Sequence, residues 1–277
     1  MAPTKQHPCL QCPSVKLLWV YVWKLAIISI PKDKYSKILP ETFRHCCLLR
    51  LGLDIYSAPN FCRACHEHMD PTCTHLFSCT HYRSLLTRRH DVIVSDLKAL
   101  ATSAGVKVQD KHLTIFRVED ETDGRRPDLM MTKQGTNGRE LFLDVTVSHP
   151  TCPAYVGHAC KERGHTIRKK NAEKDKKYKA KCEALGYQFV PLAFESFDLA
   201  SKEVVDIISS LAEKASELLC IPYALLLSYW KKRISTTLQV GTAQFIMNAS
   251  KCSRRPQRNQ RYEESVLLEA NHVRTRH

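Results

Sequence analysis

Apolar positions along this chain change their spacing several times, and each change marks an element. From Glu41 to Leu53 they predict a short amphipathic helix that Gly52 caps. Between Tyr82 and Ala104, Leu85, Leu86, Val92, Ile93, Leu97, Leu100 and Ala104 recur at helical spacing, and Gly105 ends the run. Val106 to Val108 and Leu113 to Val118 then read as strands, followed by two more around Asp128 and Asp144. A loop with Pro150 and Pro153 leads to a helix from Thr166 to Leu185, stopped by Gly186. Tyr187 to Phe194 is a further strand. Ser201 caps a helix whose buried side is Val204, Val205, Ile207, Ile208, Leu211, Ala215, Leu218 and Leu219. Another helix follows Pro222. This order predicts the α/β class, a mixed β-sheet flanked by helices on both faces.

A length of 277 residues suits one large domain, or one domain with small appendages. The pattern divides it into an irregular leader at 1–40, a helix and cysteine-rich knuckle at 41–81, an α/β domain at 82–245, and a basic tail at 246–277 expected to be disordered. The balance of 42 Lys+Arg against 28 Asp+Glu, a net charge of +14, favours a polyanionic partner. The excess is concentrated between Lys161 and Lys181, where 10 Lys/Arg face 3 Asp/Glu. Lys161, Arg163, Arg168, Lys169, Lys170 and Lys176 are the candidate contacts to DNA or RNA. A solvated helix face is the alternative. No small-molecule substrate is implied.

The apolar stretch Leu17 to Ile30 is broken by Lys24 and is short for a bilayer, so no membrane role is expected. It also lacks a small-residue cleavage site. Without a secretory signal, an odd count of 13 cysteines argues against a disulfide framework. A reducing compartment, nuclear or cytoplasmic, follows.

Cys62-Arg63-Ala64-Cys65 and His75-Leu76-Phe77-Ser78-Cys79 form C-x2-C-x9-H-x3-C. Three thiolates and an imidazole satisfy tetrahedral zinc, and a set without an open position is structural. Cys73, His66, His68 and His81 lie close enough in sequence to substitute for one of the four. Cys9 and Cys12 repeat the short spacing without a partner pair.

Two aspartates carry the remaining chemistry. Asp128 follows Arg125-Arg126-Pro127, and Asp144 sits inside Leu141-Phe142-Leu143-Asp144-Val145-Thr146-Val147-Ser148. A glycine- and asparagine-rich stretch, Lys133 to Arg139, separates them. Two registers compete. A hairpin symmetric about Thr136 sets Asp128 opposite Asp144, at about 5 Å between Cβ atoms, close enough to share one Mg2+. A tight turn at Asn137-Gly138 pairs Asp128 with Val147 instead and separates the carboxylates by roughly 10 Å. A strand aspartate also serves as an edge guard against mispairing.

Taken together, several segments resemble the C-terminal region of retroelement reverse transcriptases. They are Phe43 with Leu49-Arg50-Leu51-Gly52-Leu53, the Cys62/Cys65/His75/Cys79 knuckle, and Arg89-His90-Asp91 opening a helix. Arg126-Pro127-Asp128, Asp144-Val145-Thr146-Val147-Ser148-His149-Pro150, Lys174-x-x-Lys177-Tyr178 and Phe189-Val190-Pro191-Leu192-Ala193-Phe194-Glu195 resemble its restriction-endonuclease-like module, of the PD-(D/E)XK superfamily. The resemblance spans about residues 41–245. It implies a magnesium-dependent DNA endonuclease core, with Asp128 and Asp144 as metal ligands and catalytic residues. In the wider superfamily a lysine follows the second acid by two positions; here that position is Thr146. The resemblance implies that Lys174 or Lys177, from the following helix, supplies the catalytic lysine. No Tyr/Phe-x-Asp-Asp polymerase motif occurs, so reverse transcription is not expected. The chain is similar to a detached fragment of such an open reading frame. A catalytically inactive nucleic-acid-binding remnant is the alternative function.

Overall fold

The computed structural model describes residues 38–56, 60–110 and 127–251. After α1 (Pro40–Leu51), a small hairpin of β1 (Asn60–Phe61) and β2 (His68–Met69) leads through 3-10 turns at Thr74–Phe77 and Thr80–Tyr82 into α2 (Arg83–Ser103). The main sheet comprises β3 (Val108–Asp110), β4 (Leu129–Met131), β5 (Leu141–Ser148) and β6 (Gln188–Glu195), in that spatial order. Its first two pairings are antiparallel, and β5 and β6 run parallel. A parallel pair needs a crossover. Here α3 (Pro153–Ala159) and α4 (His165–Ala184) supply it. Two more helices follow, α5 (Lys202–Leu219) and α6 (Tyr223–Lys251).

Alternation along β5 sends its side chains to opposite faces. Leu141, Leu143 and Val145 join a core with Ile93, Leu97 and Leu100 of α2, Val204 and Ile208 of α5, and Ile234 and Leu238 of α6. Phe142 turns the other way, to Met130, Phe189 and the Tyr178 and Cys182 side chains of α4. The expected mixed sheet, with helices on both faces, is the architecture found. Asp144 and Thr146 fall on the Phe142 side of β5, under the basic helix α4.

The hairpin between β4 and β5 adopts the register symmetric about Thr136, pairing Leu129 with Leu143 and Met131 with Leu141. A 3-10 turn at Thr136–Gly138 closes it, with Asn137 at φ 58° and Gly138 at φ 71°. Both lie in the left-handed region that asparagine and glycine tolerate best. The tight Asn137-Gly138 hairpin does not form.

Gly52 takes the left-handed position after α1, and the Ser201 hydroxyl accepts the Val204 N–H at the start of α5. The loop expected after Pro150 contains α3. Proline opens that helix at a position where an N–H is not needed. Arg89-His90-Asp91 lies inside α2 and does not open it, because the helix already starts at Arg83. Leu218 and Leu219 are exposed, not buried. The apolar stripe of α5 leaves the core after Ala215, and the last turn continues into solvent.

The cysteine-rich segment has no core of its own. Cys46, Leu49, Leu76 and Tyr82 pack against Ala243, Phe245, Ile246 and Ala249 of α6. Arg50 of α1 adds an ion pair to the buried Asp198 at 2.9 Å, and Ser235 of α6 donates to the same carboxylate oxygen at 2.5 Å. Losing one member of such a buried pair costs about 3–5 kcal/mol, since the other charge stays buried. The final helix runs to Lys251, so residues 246–251 belong to the fold. The leader (1–37), Cys9 and Cys12, the strand expected at Leu113–Val118, Arg125 with Arg126, and the tail beyond 251 lie outside the described residues. Among the described residues, no helix is long and apolar enough to cross a membrane.

Candidate functional site

Cys62, Cys65, His75 and Cys79 come together, with all four ligand atoms within 4.8 Å of one another. The C-x2-C turn sits at the end of the β1–β2 hairpin. There the His66 N–H donates to the Cys62 carbonyl at 2.8 Å and His66 takes a left-handed φ of 62°. The separations are 3.9 Å for the Cys62 and Cys79 sulfurs, 3.8 Å for Cys79 and Cys65, and 3.1 Å for Cys65 Sγ and His75 Nε2. A tetrahedron with Zn–S bonds near 2.3 Å has S···S edges of about 3.8 Å, so the donor set can hold a metal such as zinc. Of the possible substitutes, Cys73 is buried elsewhere, near the Pro71 carbonyl. His81 Nδ1 lies 3.8 Å from the Cys79 sulfur, outside the set of four.

The thiols do not ionise alike. Burial raises Cys62, but the backbone N–H groups of Cys65 and Ala64 and the Cys65 and Tyr82 side chains outweigh it, bringing it to about 6. Cys79 is pushed up to about 12, mainly by burial, with Cys65 and Cys62 adding to it. One thiolate forms readily and discourages the next. A dication removes that conflict.

The second site is a cleft of about 590 Å3 where the ends of β4 and β5 meet α2 and α4. Asp128, Asp144, Thr146, Lys170, Lys174 and Lys177 all line it. Continuing the β4–β5 register past Leu129 sets Asp128 across from Asp144. The ladder loosens there: the Asp128 N–H donates to the Leu143 carbonyl at 2.9 Å, and Asp128 Oδ2 accepts the Val145 N–H at 2.7 Å. Asp144 is almost wholly buried. Its carboxyl is raised above the ordinary aspartate range by burial; the Lys174 ammonium opposes the shift and the Asp128 charge adds to it.

Lys174 Nζ approaches Asp144 Oδ2 to 2.6 Å, off the line of a well-aligned hydrogen bond. Lys177 donates to the Tyr178 hydroxyl at 2.8 Å, its ammonium 4.5 Å from that ring's centre. Of the two candidate lysines, Lys174 therefore meets the acid directly. Tyr178 itself is buried and packs on Phe189. Thr146, two residues after Asp144, has a buried hydroxyl that finds no hydrogen-bond partner among the described residues.

The basic candidates divide. Lys170 faces the aspartate cleft, and Lys169 and Lys170 place their ammonium groups 5.2 and 5.5 Å from the Tyr155 ring. Arg163 and Arg168 instead line a separate cavity of about 530 Å3 beside the start of α5. There Arg168 is paired with Glu162 at 2.6 Å. Lys161 and Lys176 are exposed and line neither cavity.

Residues without an assigned role in the sequence complete the cleft. His90 Nε2 lies 2.9 Å from Asp128 Oδ2. Arg89, buried, donates to the Val147 carbonyl at 3.3 Å and the Thr242 hydroxyl at 3.4 Å. Burial lowers the Arg89 guanidinium to about 10, which leaves it charged at neutral pH. His149, held to about 3 by burial and by Arg89, is neutral there and sits between Ser196 at 2.5 Å and Thr151 at 2.7 Å. Arg89-His90-Asp91 and Ser148-His149-Pro150 were the sequence signals for both. A scan against protein-family models gives no match for this chain, and a search of the curated proteins gives none either.

Proposed function

We propose that the chain is a metal-dependent endonuclease that nicks DNA, with a PD-(D/E)XK-like core derived from a retroelement. The observation that carries this reading is the gathering of Asp128, Asp144 and Lys174 in one cleft, with lysine and acid 2.6 Å apart. Asp128 and Asp144 would hold Mg2+, which takes one or two carboxylates, several waters and the substrate's phosphate oxygens. The ion, when bound, activates a water and neutralises charge on the scissile phosphate. Lys174 orients that water and stabilises the developing charge, the part the superfamily lysine plays from the strand position that Thr146 occupies here. Lys169, Lys170 and Lys177 draw the phosphodiester backbone to the cleft, contributing affinity without much choice of sequence. The Cys/His cluster, with zinc as its metal, stiffens the wall beside it.

A second reading has its own support. Lys174 already compensates Asp144, so the acid does not need a metal to be tolerated. A chain of this kind can persist as a nucleic-acid-binding remnant without catalysis. Nicking of supercoiled plasmid separates the two. The nuclease reading expects Mg2+-dependent nicking that Asp128→Ala and Asp144→Ala each abolish while DNA binding survives. Protein loaded with zinc that binds DNA and Mg2+ but leaves the plasmid intact belongs to the remnant reading.

A further inference from the structure

We infer that His90 is a positioning residue, fixing which oxygen of Asp128 is presented to a divalent cation. The inference rests on the nuclease reading. Both hydrogen bonds to the Asp128 carboxylate fall on Oδ2: one from the Val145 N–H at 2.7 Å, the other from His90 Nε2 at 2.9 Å. Among the described residues none falls on Oδ1. An oxygen that already accepts two donors is a poorer ligand, so the ring leaves Oδ1 to meet the ion. The imidazole is held on its other side as well, with Nδ1 3.1 Å from Asp91 Oδ1. Its neighbour Arg89 anchors α2 to the end of β5 through the Val147 carbonyl and to α6 through Thr242. That anchor fixes the height and rotation of the helix, and so the approach of His90 to Asp128. Gly241 is part of it, because a Cβ there would meet Arg89 Cγ at 3.0 Å.

His90 acts through Asp128 and is not itself a third ligand. Among the described residues only the cysteine cluster brings three or more ligand atoms of this kind within 4.8 Å of one another. Histidine that merely filled space would pack in the interior, whereas His90 lines the cleft. Partners that orient a ligating carboxylate typically change metal affinity by about 10–100-fold when removed.

The test is Mn2+ binding to the full, zinc-loaded chain, followed by electron paramagnetic resonance, in wild type, Asp128→Ala, His90→Ala and His90→Gln. Zinc content and thermal melting monitor the fold. His90→Ala should weaken Mn2+ binding about 10–100-fold. His90→Gln, whose amide can donate to the same oxygen, should recover most of that loss. Wild-type affinity in His90→Ala, with Asp128→Ala unable to bind, overturns the inference and leaves the nuclease reading standing. Equal losses in His90→Ala and His90→Gln overturn it too, since they trace to packing of α2. Wild-type protein that carries zinc but binds no Mn2+ overturns the nuclease reading, and this inference with it.

Discussion

Phe77, two residues beyond the cluster histidine, lies flat on His149, with ring centroids 3.8 Å apart and planes 10° from parallel. His149 follows the last residue of β5, the strand that carries Asp144. Thr74 and Thr151 form a second bridge at 3.3 Å. The Cys/His cluster and the aspartate cleft therefore share a wall.

Purified protein should accordingly carry about one tightly held zinc, because a closed three-cysteine, one-histidine site couples metal binding to folding. Cys62→Ser and Cys79→Ser should lose it, lower the melting temperature and expose residues 62–81 to protease. Phe77→Ala should keep the zinc yet lose the stack, at about 1 kcal/mol beyond its buried area. Elemental analysis finding no zinc in protein folded without chelator would sink the metal site.

Much of this was legible in the sequence where a local rule had no rival. Gly52, Ser201 and Gly105 ended or opened helices because their backbone positions demand those residues. The four cluster ligands were the best match to the C-x2-C-x9-H-x3-C spacing, but Cys73, His66, His68 and His81 were rivals that the spacing did not exclude and only the fold sets aside. The register about Thr136 was one of two local solutions. The turn that decided it is held from outside, since the Gln188 side chain on β6 accepts the Thr136 N–H at 2.6 Å. Contacts of that range leave no periodic trace. The same holds for His90, whose contact with Asp128 joins residues 38 positions apart. Leu218 and Leu219 failed in the opposite direction: helical spacing persisted after the core had ended.

Lys174→Ala and Lys177→Ala should part company. Lys174 touches Asp144, so its loss should cut the nicking rate by about 10²–10³-fold, the scale of removing one charge-stabilising group. Lys177 is engaged with Tyr178, and its loss should weaken DNA binding while leaving the rate at saturating DNA within a few-fold. Single-turnover kinetics at saturating DNA make the comparison. Equal rate losses from both would put the two lysines in one role, against the geometry.

DNA affinity should fall steeply with salt, with a slope near −0.9 per neutralised phosphate. Replacing Lys169, Lys170 and Lys177 together should flatten it by roughly 0.9 for each phosphate left without its lysine. Arg163→Ala with Arg168→Ala should change it less, because these side chains line the other cavity. Fluorescence anisotropy across a salt series reads both. A slope that responds only to the arginines would move the nucleic-acid path to the start of α5.

Glu195, at the end of β6, makes a prediction about pH. The residue is fully buried, and among the described residues neither its oxygens nor the nearby Thr166 hydroxyl has a well-formed hydrogen bond. Burial raises its carboxyl from 4.5 to about 7, against the pull of Thr166, Arg163 and Arg168. A folded-state value above the unfolded one means that the native protein binds the extra proton. The stabilisation is complete below pH 4.5, fades as pH rises through about 7, and is absent beyond it. Glu195→Gln removes the charge while keeping the shape, and its amide can bond to Thr166. It should therefore be more stable than wild type at pH 8, by about 3 kcal/mol on the scale of such a shift. The two proteins should converge near pH 4, where the glutamate is neutral in both states. Urea unfolding at the two pH values checks it. A difference that stays constant with pH would mean that Glu195 is not the group titrating in this window.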